Sequence, residues 1–312
     1  MEYRQLGGTD LRISILGFGA SPLGNAFRET DPVEGKASVH LAVDRGINFF
    51  DVSPYYGLTL AETRLGEALE GRREKVVLAT KCGRYGANAD QFDFSAARIT
   101  ASVEESLGRL RTDYLDLLQA HDVEFGDVRQ VVEETLPAMR RLQEQGKARY
   151  IGITGYSLKN LMEIAGQVKV DSILSYCRYN LLITDMEAKL VPFAKTHGIG
   201  VINASPLHMG IITERGAPDW HPAPQSVRDA GQRIVAVCKA RGLDASEVAL
   251  RFCLEQPDVA STLVGLSSRA HVERNLKAME MKVDAELLAE IAEAVAPVKD
   301  VTWPSGKAEN YG

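Results

Sequence analysis

The stretch "GINFFDVSPYYG", residues 46–57, carries a short apolar run that ends on Asp51 and gives way to a loop holding Tyr55 and Tyr56. Four to seven apolar residues closed by a polar group and then by Ser, Pro and Gly read as a strand buried on both faces and its exit. The same pattern recurs along the chain. It returns in "ILGFG" (15–19), "VVLATK" (76–81), "YLDLLQAH" (114–121), "ARYIGIT" (148–154), "DSILSY" (171–176), "GVINAS" (200–205) and "STLVG" (261–265). Between these runs lie segments of helical periodicity at 33–45, 59–70, 95–109, 127–145, 157–167, 184–197 and 225–255, with 269–277 and 284–294 after the last run. Eight buried strands alternating with amphipathic helices in 312 residues predict an α/β fold, a closed (β/α)₈ barrel built on a parallel sheet. No linker-like composition divides the chain, so residues 1–312 are expected to form one domain.

Composition narrows the function. At 45% hydrophobic and 25% charged residues the chain suits a water-soluble core, and a net charge of −6 with scattered Lys and Arg gives no field for nucleic acid. No apolar window approaches the length of a membrane span, and the N-terminus lacks the pattern of a secretion signal, so a cytoplasmic location is expected. Cys82, Cys177, Cys238 and Cys253 have no metal-binding spacing and read as reduced thiols; no metal site is expected.

In a (β/α)₈ barrel the reactive groups gather at the C-terminal ends of the strands. Asp51, Lys81 and His121 end the second, third and fourth runs, and Tyr56 follows on the loop after Asp51. Each has a plainer role alone: Asp51 as a turn or cap residue, Lys81 as a solvated rim residue, His121 as a half-buried imidazole, the tyrosines as loop aromatics. Their convergence on one rim favours a site. A phenol with an ordinary pKa near 10 is a poor acid or base at neutrality; a nearby ammonium favours the phenolate, and a carboxylate holds the ammonium in place. Lys81, Asp51 and Tyr56 supply those groups, and His121 can orient a substrate oxygen.

"GINFFDVSPYYG", "ATKCGRY" and "LDLLQAHD" resemble the catalytic segments of the aldo-keto reductase superfamily. The likeness runs nearly the whole chain, from "GFGASPLGN" (17–25) through "ASPLHMG" and "WHP" (220–222) to "TWPSG" (302–306), and is greatest to the branch that oxidises L-galactose. It implies an N-terminal β-hairpin, a C-terminal loop over the barrel mouth and a catalytic tetrad of Asp51, Tyr56, Lys81 and His121. The family's tyrosine directly precedes glycine, which selects Tyr56; Tyr55 becomes a pocket wall. The resemblance also implies a nicotinamide dinucleotide lying across the mouth, near Thr154, Gly155 and Tyr176, with Ser205, Pro206, Leu207 and Gly210 along its middle. Ala204 stands where many relatives stack an aromatic residue on the nicotinamide.

At the far end Gly265, Ser267, Ser268, Arg269 and Asn275 are expected to receive phosphate and adenosine, although the serines would equally suit helix capping. Neutral Gly265 and Leu266 favour NAD, with NADP as the alternative. Tyr55, His121 and Trp303 are expected to contact substrate, Trp303 having a second reading as an anchor of the tail. The expected reaction is oxidation of an aldose, L-galactose or a relative such as L-fucose, at C1 to the lactone. Alternatives are an NADP(H)-linked carbonyl reductase, a Schiff-base lyase working through Lys81, and a nicotinamide-binding regulatory subunit without turnover.

Overall fold

A computed structural model of the protein describes residues 1–26 and 28–311. Two short strands, β1 (Tyr3–Gln5) and β2 (Arg12–Ser14), pair antiparallel as a hairpin. Eight more follow: β3 (Leu16–Gly19), β4 (Phe49–Asp51), β5 (Val77–Cys82), β6 (Leu115–Ala120), β7 (Ala148–Gly155), β8 (Ser172–Tyr176), β9 (Gly200–Ala204) and β10 (Ser261–Gly265). These pair in parallel, in chain order, and β10 closes on β3. The expected (β/α)₈ barrel is therefore present, with all eight apolar runs as its staves.

Helices clothe the outside. Outward residues such as Leu16, Phe18, Phe50, Leu118 and Ile151 join helix residues such as Val39, Leu65, Val103 and Leu142 in one buried layer, where Phe18 and Phe50 stack 4.9 Å apart. Inward residues at the floor are also hydrocarbon: Phe49, Ala79, Leu117, Leu174, Ile202 and Leu263 meet Leu6, Leu11 and Ile13 of the hairpin, which plugs the barrel from below. The hairpin turn presses on the entry to β9, with Gly8 N donating to Gly198 O at 2.8 Å. Gly7 has φ +54°, and a Cβ there would come within 2.3 Å of Gly200 N, so this contact needs glycine.

The helical expectations need two corrections. Residues 225–255 form two helices, Gln225–Ala240 and Ala245–Leu254, because Gly242 turns at φ +70° and Asp244 caps the second. The helix expected at 127–145 contains a π-turn, Val131–Thr135, and the one expected at 184–197 begins with another, Met186–Leu190. Each π-turn sits directly before a segment with proline in its first turn, Pro137 or Pro192, whose missing N–H and ring bulk disturb the i→i−4 ladder. Among the described residues no helix is long and apolar enough to cross a membrane.

Candidate active site

Strand register brings the polar groups together. Asp51 of β4 lies opposite Ala79 of β5, and Lys81, two residues further on, lies opposite Gln119 of β6. Side chains two apart share a face, so Asp51, Lys81 and Gln119 meet inside the barrel above the hydrocarbon floor. The Lys81 ammonium donates to Asp51 Oδ1 and, at 2.9 Å, to Val52 O; Gln119 Nε2 donates to Asp51 Oδ2 at 2.8 Å. Asp51 and Lys81 are only 3% and 2% exposed, so neither charge is left for water to stabilise. Burial works against the charge on Lys81, but attraction from Asp51 and Tyr56 outweighs it and raises the amine above its ordinary range. Lys81 is thus held protonated, which opposes a Schiff-base role.

Tyr56 is half-buried, its ring centre 5.0 Å from Lys81 Nζ. Its backbone is braced by loop 20–25: a Cβ on Gly57, at φ +64°, would meet Gly24 O at 2.1 Å, and one on Gly24 would meet Tyr56 O at 2.5 Å. Arg64 then ties that loop down by donating to Leu23 O at 2.7 Å. The phenol's acidity departs from the simple expectation. Burial raises its pKa, Lys81 pulls the other way, and Asp51 and Asp122 add to the rise, so the net shift is upward and the phenol is neutral at pH 7.

His121 follows β6 directly, its amide bonded to Cys82 O at 2.8 Å. Its Nδ1 lies 3.0 Å from Ser53 Oγ, and that hydroxyl accepts from Tyr55 N at 3.1 Å. The Ser53 hydroxyl has one proton to give, and donating it to Nδ1 is the arrangement that leaves the proton of the neutral ring on Nε2, facing the opening. Burial, with Lys81 and Arg84 nearby, drives the imidazole well below its usual pKa. His121 is therefore a neutral N–H donor beside a neutral phenol and a fixed ammonium. These groups can bind an alcohol or carbonyl oxygen and exchange a proton with it.

Tyr55 stands at the same opening, its ring 6.0 Å from that of His121 and stacked under the Arg84 guanidinium at 3.7 Å. Arg84 pairs with Asp122. Gln119, Ser53, Arg84 and Asp122 were not singled out from sequence as site residues. Gln119 was within reach of that reading, since it precedes His121 by two on one strand, whereas the other three are defined by contacts between loops.

The residues expected around a cofactor occupy the same rim on the barrel's other side. Thr154 and Gly155 end β7, and Thr154 Oγ1 accepts from Asp122 N at 3.1 Å. Tyr176 ends β8; Ser205, Pro206 and Leu207 follow β9, with Ser205 at φ +59° and Gly210 at φ +103°. Gly265 is the exposed last residue of β10, with Ser267 buried just beyond it. Ser268 caps the helix Arg269–Ala278, accepting from His271 N at 3.2 Å, and Asn275 donates to His271 O at 2.7 Å. Arg269 is engaged by Glu34, which accepts from its backbone N at 2.8 Å and from its guanidinium at 3.0 Å. Glu34 thus places a carboxylate at this helix's amino end, where the helix dipole favours negative charge. Nearby, buried His271 Nδ1 has no hydrogen-bond partner.

The C-terminal segment crosses the rim as expected. Trp303 is 8% exposed, stacked on Tyr156 at 4.4 Å and edge-on to His208 and His221 at 5.3 Å each. Its surroundings are those of a tail anchor. Beyond it Ser305 Oγ donates to Glu124 Oε1 at 3.2 Å, Lys307 N to Glu124 O at 2.9 Å and Asn310 Nδ2 to Glu124 O at 2.8 Å. Glu124 is fully buried, and burial with Asp122 nearby pushes its carboxyl up to about 8.

Comparison with known proteins agrees with this geometry. Residues 15–296 match the Aldo/keto reductase family. An L-galactose dehydrogenase of Arabidopsis thaliana is 45% identical over 320 residues, covering 99% of each chain. A D-threo-aldose 1-dehydrogenase of a Pseudomonas species is 30% identical, covering 91% of this chain and 94% of its own. A solved aldo-keto reductase from Bacillus halodurans, in holo form, superposes with a TM-score of 0.81 at 30% identity, covering 97% of this chain and 98% of its own. The chain is an oxidoreductase that belongs to the aldo/keto reductase family and shares that family's use of a nicotinamide cofactor.

Proposed function

We propose that residues 1–312 form one cytoplasmic domain that oxidises an aldose at C1 to its lactone with NAD, the sugar being L-galactose or a stereochemical relative such as L-fucose. The observation that carries this reading is the 45% identity, across 99% of both chains, to a protein named for oxidation of L-galactose. Asp51, Tyr56, Lys81 and His121 are the catalytic groups. His121 donates Nε2–H to the anomeric oxygen and fixes its position, and Tyr56, as phenolate, takes the hydroxyl proton. Lys81, locked by Asp51, steadies the charge on the phenolate. Because burial holds Tyr56 neutral, the base form grows as pH rises, while the same phenol is ready to act as an acid in carbonyl reduction.

Thr154, Gly155, Tyr176, Ser205, Pro206, Leu207 and Gly210 would hold the nicotinamide half of the cofactor, and Gly265, Ser267, Ser268, Arg269 and Asn275 the phosphate and adenosine. When bound, the cofactor supplies the acceptor for the hydride leaving C1. Arg269 is already neutralised by Glu34, which supports NAD over a cofactor carrying a further phosphate. A screen of NAD reduction over L- and D-aldoses, with NADP in parallel, tests the reading. The expected result is turnover of L-galactose or a related sugar, faster with NAD. A preference for NADP, or no aldose turned over, contradicts it.

A further inference from the structure

The Arg84–Asp122 pair bears on the acidities of Tyr56 and His121 but exchanges no proton in the chemistry above, yet it is closely held. Asp122 is 2% exposed and sits at φ 51°, ψ 58°, a left-handed conformation costly for a residue other than glycine. Its amide is fixed by Thr154 Oγ1, and its carboxylate by Arg84, which is stacked on Tyr55 and donates Nε–H to Gly86 O at 3.2 Å. A buried ion pair gives little net stability over apolar packing, so this expense is not explained by folding. Its position offers an explanation. Asp122 Oδ2 lies 3.7 Å from His121 Nε2. That is too long for a hydrogen bond between them, and it sets a donor and an acceptor side by side, close enough for two adjacent ligand oxygens to bond one to each.

We propose that Asp122, braced by Arg84, is the specificity-determining carboxylate that accepts a hydrogen bond from the substrate hydroxyl on the carbon next to the reacting one. Two vicinal oxygens of a sugar span the gap: the reacting oxygen accepts from His121 Nε2–H, and its neighbour donates to Asp122 Oδ2. A simple aldehyde offers only the first. The inference rests on the reading of the chain as an aldose dehydrogenase and adds how the sugar is told from other carbonyl compounds.

The test compares the best aldose of the screen with its 2-deoxy analogue. With the unaltered enzyme, kcat/KM is expected to fall by about 10²-fold or more for the deoxy sugar, since a site built around a hydroxyl leaves a buried acceptor unpaired without it. Loss of the electron-withdrawing hydroxyl would by itself ease hydride departure, so a fall reports recognition. In Asp122→Ala, which has no acceptor, the ratio between the two sugars is expected to collapse toward about 1. Equal use of both sugars by the unaltered enzyme, or a ratio preserved in Asp122→Ala, overturns the inference alone. If Asp122→Ala does not fold, the analogue comparison on the unaltered enzyme decides. Failure to oxidise any aldose overturns the functional reading, and the inference with it.

Discussion

The barrel has two ends built from the same eight strands, and they spend their interiors differently. At the floor Leu6, Leu11 and Ile13 of the hairpin close on Phe49, Leu117, Leu174 and Leu263, a predominantly apolar plug. One strand layer higher, Phe49 has given way to Asp51, Ala79 to Lys81 and Leu117 to Gln119, so every second residue of three neighbouring strands switches from apolar to polar. The floor makes the fold stable and the mouth uses that stability to hold charges out of water. Substitutions at the two ends should therefore fail in different ways.

Tyr56→Phe should cost the most activity: about 10²-fold or more in turnover, the scale of general acid/base catalysis, with cofactor affinity and melting temperature little changed. Tyr55→Phe should be much milder, and equal losses would break the division between the two tyrosines. At the other end Leu6→Ala should lose about 2–5 kcal/mol of stability in denaturant titration, while turnover per folded molecule is kept. A loss of turnover without destabilisation would erase the contrast.

Trp303→Ala sharpens the boundary between the two regimes. The ring's burial against Tyr156, His208 and His221 predicts a melting temperature lowered by several degrees and a smaller change in KM for the aldose. A raised KM with unchanged melting would return Trp303 to the substrate wall. The smallest effect concerns Glu124 beneath the tail. Its carboxyl is raised to about 8 in the fold, so between pH 4.5 and 8 the unfolded chain loses this proton first and stability falls as pH rises. Glu124→Gln should raise the melting temperature by about 2 °C or more at pH 9 and give no gain at pH 4.

The eight strands were legible because staves buried on both faces must be continuous apolar runs, and a polar residue ending such a run marks the rim. That logic placed Asp51, Lys81 and His121 at one mouth. It could not give the hydroxyl of Ser53 behind His121 or the reach of Arg84 to Asp122, since both depend on how successive βα loops fold against each other. The acidity of Tyr56 was also out of reach. From sequence the Lys81 charge predicts a lowered pKa, but the sign depends on how much water the ring loses, and burial reverses it. The break near Gly242 was readable from the glycine and the Asp244 cap, whereas the apolar periodicity on either side suggested one long helix.

The central claim is that Lys81, clamped by Asp51, tunes Tyr56, and the pH dependence of aldose oxidation by the unaltered enzyme and by Lys81→Met tests it most directly. Lys81 lowers the pKa of a phenol that burial raises, so the unaltered enzyme should gain rate as pH rises, in step with the phenolate. In Lys81→Met the residual rate should be low, and its rise should move to still higher pH. Two profiles that superimpose after scaling would show that Lys81 does not tune the tyrosine.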